Sequence, residues 1–562
     1  MSSTIHPSSR PSPSSRLATG RAATRRLSFA GEAGRLAVAL SFVGLLGAQS
    51  TSAPPAAGTA ANEPPIRVLL RARNGGADRL TSLRYIGGFE TKTMLYETLV
   101  RRGPDGRIAP GLASQWAFED GGRVCVLQLR EGAAFHDGKP VTAEVVRVHF
   151  QRWIGLPEHD WLACNRRIVS VEADGPRTVR ITMNEPYALL DDLCAINPCA
   201  VVGPGARDWE GEFQRPMGTG PWRFVSAGNG GASWRLARVR GEGADVEVSF
   251  VPRGRDREPV DRLLRGEIDV FVGGWDEDLP AAALQELAAD PRFAVQTAPG
   301  SSVAYLSFRL DEGPTSDRDV RRRIQAAVDR TALIAAVEDG RADACTAWAA
   351  PSVQFWPRGR LAQPVLPPAP AGTLPKLTIA AGPGDGRVTR LAEALQGQLQ
   401  AAGFVVEVLR PPAAVEAASK PAVAAQDRES GDVRRARMRA WREVADQADL
   451  RIQITHGVPY DPHQSLVARF GPVPAKNADQ PRPRQGVDPA LQALVALAMA
   501  TVDENARVPI YAEIQALLDR EALLVPLYAP HRVALRRADI EGIGLDLDCY
   551  RADLTGLRRV AR

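Results

Sequence analysis

Between Pro110 and Phe150 the chain reads PGLASQWAFEDGGRVCVLQLREGAAFHDGKPVTAEVVRVHF, and this run limits the fold more than any other segment. A Pro-Gly turn and Trp116 lead into an acidic turn at Glu119 and Asp120. Val124, Val126 and Gln128 then alternate with Cys125, Leu127 and Leu129, the period-2 pattern of a half-buried strand. Asp137-Gly138 supplies a tight turn. Thr142, followed by Glu144, opens a helix as its N-cap. His136 and Asp137 read as turn residues rather than as a catalytic pair.

The first 60 residues have a different character. Arg10, Arg16, Arg21, Arg25, Arg26 and Arg35 precede the apolar run Leu36–Ala48, and small residues follow to about Ala61. This is the layout of a signal peptide, with cleavage expected between Ala48 and about Ala61. Arg25-Arg26 resembles a twin-arginine signal, and no Cys follows the apolar run to carry a lipid. Residues 1–50 hold six Arg and one Glu, so the net charge of +5 resides there and the rest has 64 basic and 64 acidic residues. A neutral body has no basic footprint for nucleic acid. No run of about 18 apolar residues follows to span a membrane. The six Cys include no CxxC pair, which excludes zinc-ribbon and thioredoxin-type chemistry. In an oxidising compartment Cys194 and Cys199 could pair across a short loop, and Cys125 is expected to be free; buried thiols are the alternative.

Strand and helix patterns alternate through the remainder. Ile66–Ala72 and Thr178–Met183 read as strands, and Glu90–Val100 as a helix with Met94, Leu95 and Leu99 on one face. Gly218–Val225 (GTGPWRFV) is a turn that lets backbone pass close to a neighbour, and it leads into a strand. Val260–Gly274 is a helix followed by a buried strand. Asp317 caps a helix with Val320, Ile324, Ala327, Val328 and Leu333 at helical spacing. Leu377–Gly382, the helix from Arg387 to about Ala402, and Phe404–Pro411 form a β-α-β unit, which requires parallel strands. Pro412 to about Ser430 is low-complexity, and Leu450–Gly457 is another strand. Val508–Glu521 is a helix that runs into LLVPLYAPHRVALRR, a buried strand returning to the first unit.

These landmarks stand in the order found in the extracytoplasmic solute-binding proteins of family 5, the binding components of peptide and nickel ABC importers. YETLV at Tyr96, FHDGKPVTAE at Phe135, GTGPWRF at Gly218 and GEIDV at Gly266 come first. DVRRRIQAAVDRTALI at Asp319, APS at Ala350, PYDPH at Pro459 and IQALLDREALLVPLY at Ile514 complete the series. The resemblance implies an α/β, two-lobed periplasmic-binding-protein fold (class II, cluster C type) with a two-strand hinge. It further implies a leader at 1–60, lobe I at 65–308 with an inserted subdomain at about 100–220, lobe II at 309–528, and a return to lobe I at 529–562. The crossings are expected near Ser307–Arg309 and Val525–Ala529.

Thr455–Leu466 (THGVPYDPHQSL) resembles the nickel-binding members most. In peptide-binding members an acidic residue stands where this chain has Val458. A buried ammonium without a carboxylate costs several kcal/mol, so di- and oligopeptides are disfavoured. The nickel-type metal chelate site is also altered. Glu158, before Trp161, and the stretch Cys194–Pro204 lack the family's arginines, His456 replaces a wall Trp, and Pro474 stands where a His is expected. Trp161 and Tyr460 carry over as cleft walls. The candidate ligand-binding set is Arg84, Tyr85, Phe89, Trp161, Asn197, Trp275, His456, Tyr460 and His463. Arg84 is a possible relocated cation, while His456 and His463 are the only pair open to direct metal ligation. Core packing, solvation or local hydrogen bonding is the plainer alternative for each.

No phosphate-cradling glycine loop, Gly-x-Ser-x-Gly elbow or His-Glu-x-x-His motif is present, so no enzyme is indicated. The expected protein is periplasmic and monomeric, without a cofactor. It captures a small solute or metal chelate for an ABC permease and its ATPase. Peptide binding is the alternative, and a ligand sensor signalling to a membrane partner is the alternative of another class.

Overall fold

The computed structural model describes residues 63–71, 80–83, 89–204, 216–228, 233–239, 243–251, 257–273, 279–357, 373–381, 386–410, 412, 431–455, 462–471, 487–547 and 551–561. Three sheets organise them. A seven-stranded sheet has the order β12 (Phe293–Ala298), β19 (Arg532–Arg537), β11 (Val270–Val272), β1 (Ile66–Arg71), β10 (Val246–Val251), β9 (Ser233–Arg238), β8 (Trp222–Gly228). Its centre is parallel, with Ile66 opposite Val246 and Val68 opposite Val270. Alternate side chains of β1 serve opposite faces. Leu69 packs outward with Val260 and Leu263 of α5 (Glu258–Leu264) and Leu284 and Leu287 of α6 (Ala281–Ala289), while Val68 and Leu70 join the main core.

The six-stranded sheet has the order β14 (Ala342–Ala344), β18 (Leu524–Pro530), β13 (Ala304–Phe308), β17 (Leu450–Ile454), β15 (Lys376–Ala380), β16 (Val405–Leu409). The expected β-α-β unit is present: β15 and β16 run parallel, joined by α9 (Gly386–Ala401). The core of this sheet is separate and includes Leu306, Ile324, Leu333, Leu391, Leu395 and Val525. The chain changes sheet between Ala298 and Ala304 and again at His531. Ser307–Arg309 and Val525–Ala529, near which the crossings were expected, lie within a few residues of these changes, at the end of β13 and inside β18.

A four-stranded antiparallel sheet, β4 (Ala113–Glu119), β5 (Val124–Leu129), β7 (Thr178–Met183), β6 (Ile168–Ala173), holds the opening run. Cys125, Leu127 and Leu129 are buried as the alternation requires. The helix that follows, α2 (Ala143–Gln151), is capped by Thr142, whose Oγ1 accepts from the Val145 amide at 3.3 Å. The 135–139 segment is a turn, with Gly138 at φ +83° and the Lys139 amide donating to Asp137.

Some elements differ from the sequence reading. Helix α1 is Phe89–Leu95, and Val100 already opens the strand β2 (Val100–Arg102), paired with β3 (Ile108–Pro110). The GTG backbone stops α1: the Gly220 amide donates to the Leu95 carbonyl at 2.9 Å, and a Cβ on Gly218 would stand 1.8 Å from that oxygen. The helix capped by Asp317 is two helices, α7 (Arg318–Ala327) and α8 (Arg330–Glu338), because Asp329 turns its carboxylate onto the Ala332 amide and caps the second.

Short helices α3 (Leu189–Leu193) and α4 (Ile196–Cys199) follow β7. Later come α10 (Gly431–Asp446), α11 (Pro462–Phe470), α12 (Pro489–Ala500) and α13 (Glu504–Arg520). Helix α13 starts four residues earlier than expected because Asp503 caps it through the Asn505 amide. The Cys194–Cys199 pairing is not formed. Cys194 Sγ donates to the Leu190 carbonyl and Cys199 Sγ to that of Asp192, and neither they nor Cys125, Cys164 and Cys345 are in a disulfide. Among the described residues no helix is long and apolar enough to cross a membrane.

Candidate functional site

Ligands of open α/β sheets collect beyond the carboxyl ends of parallel strands, where loops diverge and backbone groups are left to bind. Three of these ends lead to sequence-selected residues. Strand β1 leads toward Arg84, Tyr85 and Phe89, β11 leads to Trp275, and β17 leads to His456 and Tyr460. Of the sequence-selected residues, Arg84, Tyr85, Trp275, His456 and Tyr460 lie outside the described residues, as does Val458.

Two of the others are brought together by a residue that sequence reasoning missed. Phe89 opens α1, and Lys92, one turn on, places its ammonium 5.3 Å from the Phe89 ring centroid. Lys92 Nζ donates to Asn197 Oδ1 at 3.4 Å, and Asn197 Nδ2 donates to the Ser82 carbonyl. Lys92 and Asn197 are both fully buried, while Phe89 is half-buried. The available signal was the i, i+3 spacing from Phe89, which puts Lys92 on the face of α1 that begins at the binding loop. Lys92 reads instead as a solvated charge in the run ETKTML.

Trp161 stands apart from this group, between two short 3-10 turns at Pro157–His159 and Ala163–Arg166. Its indole is 41% exposed.

His463 lies in the first turn of α11 rather than in a turn before it, and it is fully buried. Its Nδ1 is 3.0 Å from the Tyr511 hydroxyl on α13, and burial depresses its pKa to about 3. The ring is therefore neutral at ordinary pH. The next residue, Gln464, donates to Asp192 of α3. On the other side of 456–461, the Thr455 amide donates to the Val303 carbonyl at 2.8 Å, and Thr455 Oγ1 accepts from the Val303 amide at 2.7 Å. Thr455 is thus bonded to the sheet change, and Gln464 to α3.

Asp191 and Asp192 of α3 are both buried and have opposite environments. Burial opposes ionisation of Asp191, but Arg507 and Arg102 outweigh it and hold the carboxyl well below the usual range. Asp192 accepts from Tyr187 at 2.9 Å and from the Cys164 amide at 2.6 Å, yet burial raises it to about 6. Neither residue stood out in the sequence, where a DD pair in a helix reads as solvated.

A profile of the bacterial extracellular solute-binding proteins, family 5 Middle, matches residues 107–477. The nickel-binding periplasmic protein of Escherichia coli (strain K12) is 24% identical over 455 residues, covering 78% of this chain and 84% of that protein. The probable di/tripeptide-binding protein 5 of Pseudomonas aeruginosa (strain UCBPP-PA14) is 24% identical over 475 residues, with the same coverage of 78% and 84%. Among solved structures, an ABC transporter substrate-binding protein from Sinorhizobium meliloti superposes with a TM-score of 0.69 at 23% identity, covering 89% of this chain and all of that one. NikA from Brucella suis in complex with Fe(III)-EDTA gives 0.66 at 21% identity, covering 88% of this chain and all of that one. The fold shared with these structures is the two-lobed periplasmic-binding-protein fold.

Proposed function

Because the chain belongs to the bacterial extracellular solute-binding proteins of family 5, we propose that it encloses a small anionic solute, such as a carboxylate-bearing metal chelate, between its lobes and hands it to an ABC permease and its ATPase. The carrying observation is the buried cation beside the first binding loop. Lys92 is held against Phe89 and Asn197 at the start of α1, next to the loop that β1 feeds. A carboxylate meeting a buried ammonium forms a charge-assisted hydrogen bond, about twice as strong as a neutral one. In this reading Lys92 takes the place of the arginines that the family's positions, Glu158 among them, lack.

Capture follows from enclosure. Trp161, and with it Tyr460 and Trp275, form the apolar walls; Asn197 and Lys92 orient the solute; Arg84, Tyr85, His456 and His463 complete the candidate set from the sequence. The closed form is populated only as far as solute prefers it to the open one. Export is by residues 1–60, which delivers the protein to the periplasm.

Peptide binding is the second reading. It is favoured by the di/tripeptide-binding relative, as similar to this chain as the nickel-binding one at 24% identity and 78% coverage. Val458 argues against it, because it offers no carboxylate to a peptide ammonium.

Native mass spectrometry of the protein isolated from the periplasm tests the proposal. A co-purified carboxylate-rich solute or chelate is expected, lost or weakened in Lys92→Met. A co-purified peptide with a free amino terminus would overturn the cargo assignment.

A further inference from the structure

A cavity lies at the end of α1 remote from Phe89. Its volume is about 150 Å³, and its walls come from the last turn of α1, from β2, from Trp222 at the start of β8, and from the 551–555 segment. Phe89, Lys92, Trp161, Asn197 and His463 are not among them. At about 30 Å³ for each water, the space holds about five waters or one molecule of about six heavy atoms.

Among the described residues five charged side chains line this cavity, and three of them are neutralised. Glu97 accepts from both terminal nitrogens of Arg130, at 2.9 and 2.7 Å. Arg102 is paired with Asp191 and Glu504, and Arg551 has Asp546 at 3.5 Å. Arg101 and Asp553 differ. The Arg101 guanidinium donates to carbonyls alone, that of Pro110 at 3.1 Å and that of Arg102 at 3.4 Å. The Asp553 carboxylate accepts from its neighbour Thr555, from the amide at 2.9 Å and the hydroxyl at 2.5 Å. Both are exposed, and neither has an ion-pair partner among the described residues. Trp222 adds a donor. It is fully buried under the Arg238 guanidinium, 4.4 Å from the ring centroid, and its Nε1 has no acceptor among the described residues. A buried N–H left without an acceptor is costly, so an acceptor at this wall is favoured.

We propose that this cavity is a second binding site, separate from the cargo cleft, for a compact zwitterion of the α-amino-acid type. The ligand's carboxylate meets Arg101 and the Trp222 indole, and its ammonium meets Asp553, in charge-assisted hydrogen bonds. A simple anion would be opposed by Asp553 and a simple cation by Arg101, so the two charges select a ligand that carries both. The volume sets the scale at glycine or alanine. Occupancy ties the 551–555 segment to α1 and β2 and stabilises the folded chain by mass action.

Calorimetry and saturation-transfer NMR on the purified protein, with glycine, alanine, acetate and ethylammonium as probes, test the site. Glycine and alanine are expected to bind saturably, with acetate and ethylammonium about tenfold or more weaker. Arg101→Met and Asp553→Asn are surface changes whose folding circular dichroism checks, and each should weaken glycine about tenfold or more. Lys92→Met, in the cargo set, should leave glycine affinity as in the wild type, so the two sites fail separately. If neither amino acid binds saturably, the proposal is wrong. Acetate as tight as glycine and indifferent to Asp553→Asn would refute the zwitterion. Glycine binding that survives Arg101→Met but is lost in Lys92→Met would put the amino acid in the cleft and overturn this site.

Discussion

Among the described residues, His149 and His463 carry the clearest acid sensitivity. His149 Nε2 lies 2.9 Å from the Pro198 carbonyl and, since a carbonyl only accepts, carries the proton of a neutral ring. Burial lowers His149 to about 4 and His463 to about 3. The unfolded chain takes up protons below about pH 6.5 that the folded chain refuses, so this stability is fully present above pH 6.5 and is lost as pH falls toward the folded values. Replacing His149 with Gln should flatten the decline between about pH 6.5 and 4 by about 1.4 kcal/mol per pH unit, as urea unfolding at several pH values would measure. Asp192 acts in the opposite sense. Burial raises it to about 6, so its contribution is full below about pH 4 and is lost as pH rises through 6. Asp192→Asn should therefore steepen the acid decline between pH 6 and 4, and a shallower curve would refute the assignment.

At the scale of elements, glycine contacts and caps set the boundaries. Gly218 packs its backbone on the Leu95 carbonyl, where a methyl would stand at 1.8 Å. Gly218→Ala should destabilise by about 3 kcal/mol, read from denaturant midpoints. Asp329→Ala removes the cap that separates α8 from α7 and should cost about 1 kcal/mol. These two positions also explain what the sequence disclosed. The alternation in β5, the Thr142 cap and the β-α-β unit are local patterns and are fully legible. The end of α1 depends on a glycine more than 120 positions away, and helical spacing continued across Val328 although Asp329 had ended the helix. Lys92 escaped notice for a related reason. Its burial is a tertiary fact, set by Asn197 and Phe89, whereas its local sequence reads as a solvated helix.

Among the described residues the two largest sheets are joined by short passages at 299–303 and at His531. The order of landmarks along the chain made that plan readable, since it is a property of the entire sequence. The site was less readable, because its partners meet across separations of about 105 residues for Lys92 and Asn197 and 272 for Asp192 and Gln464. If residues 1–60 direct export, the periplasmic form should begin between Ala48 and about Ala61, which amino-terminal sequencing would decide. Thr455 bonds Val303 twice, inside the first passage between the sheets. In the proposed closure, with those passages as a fulcrum, the residues around Val303 and Thr455 lie close to the axle, where a given rotation gives little travel and much leverage. The outer edge of the six-stranded sheet, at Val405, sweeps the long arc, so a label there should shift further than one beside Val303. Whatever reads the protein from outside would then register a small grip as a large swing.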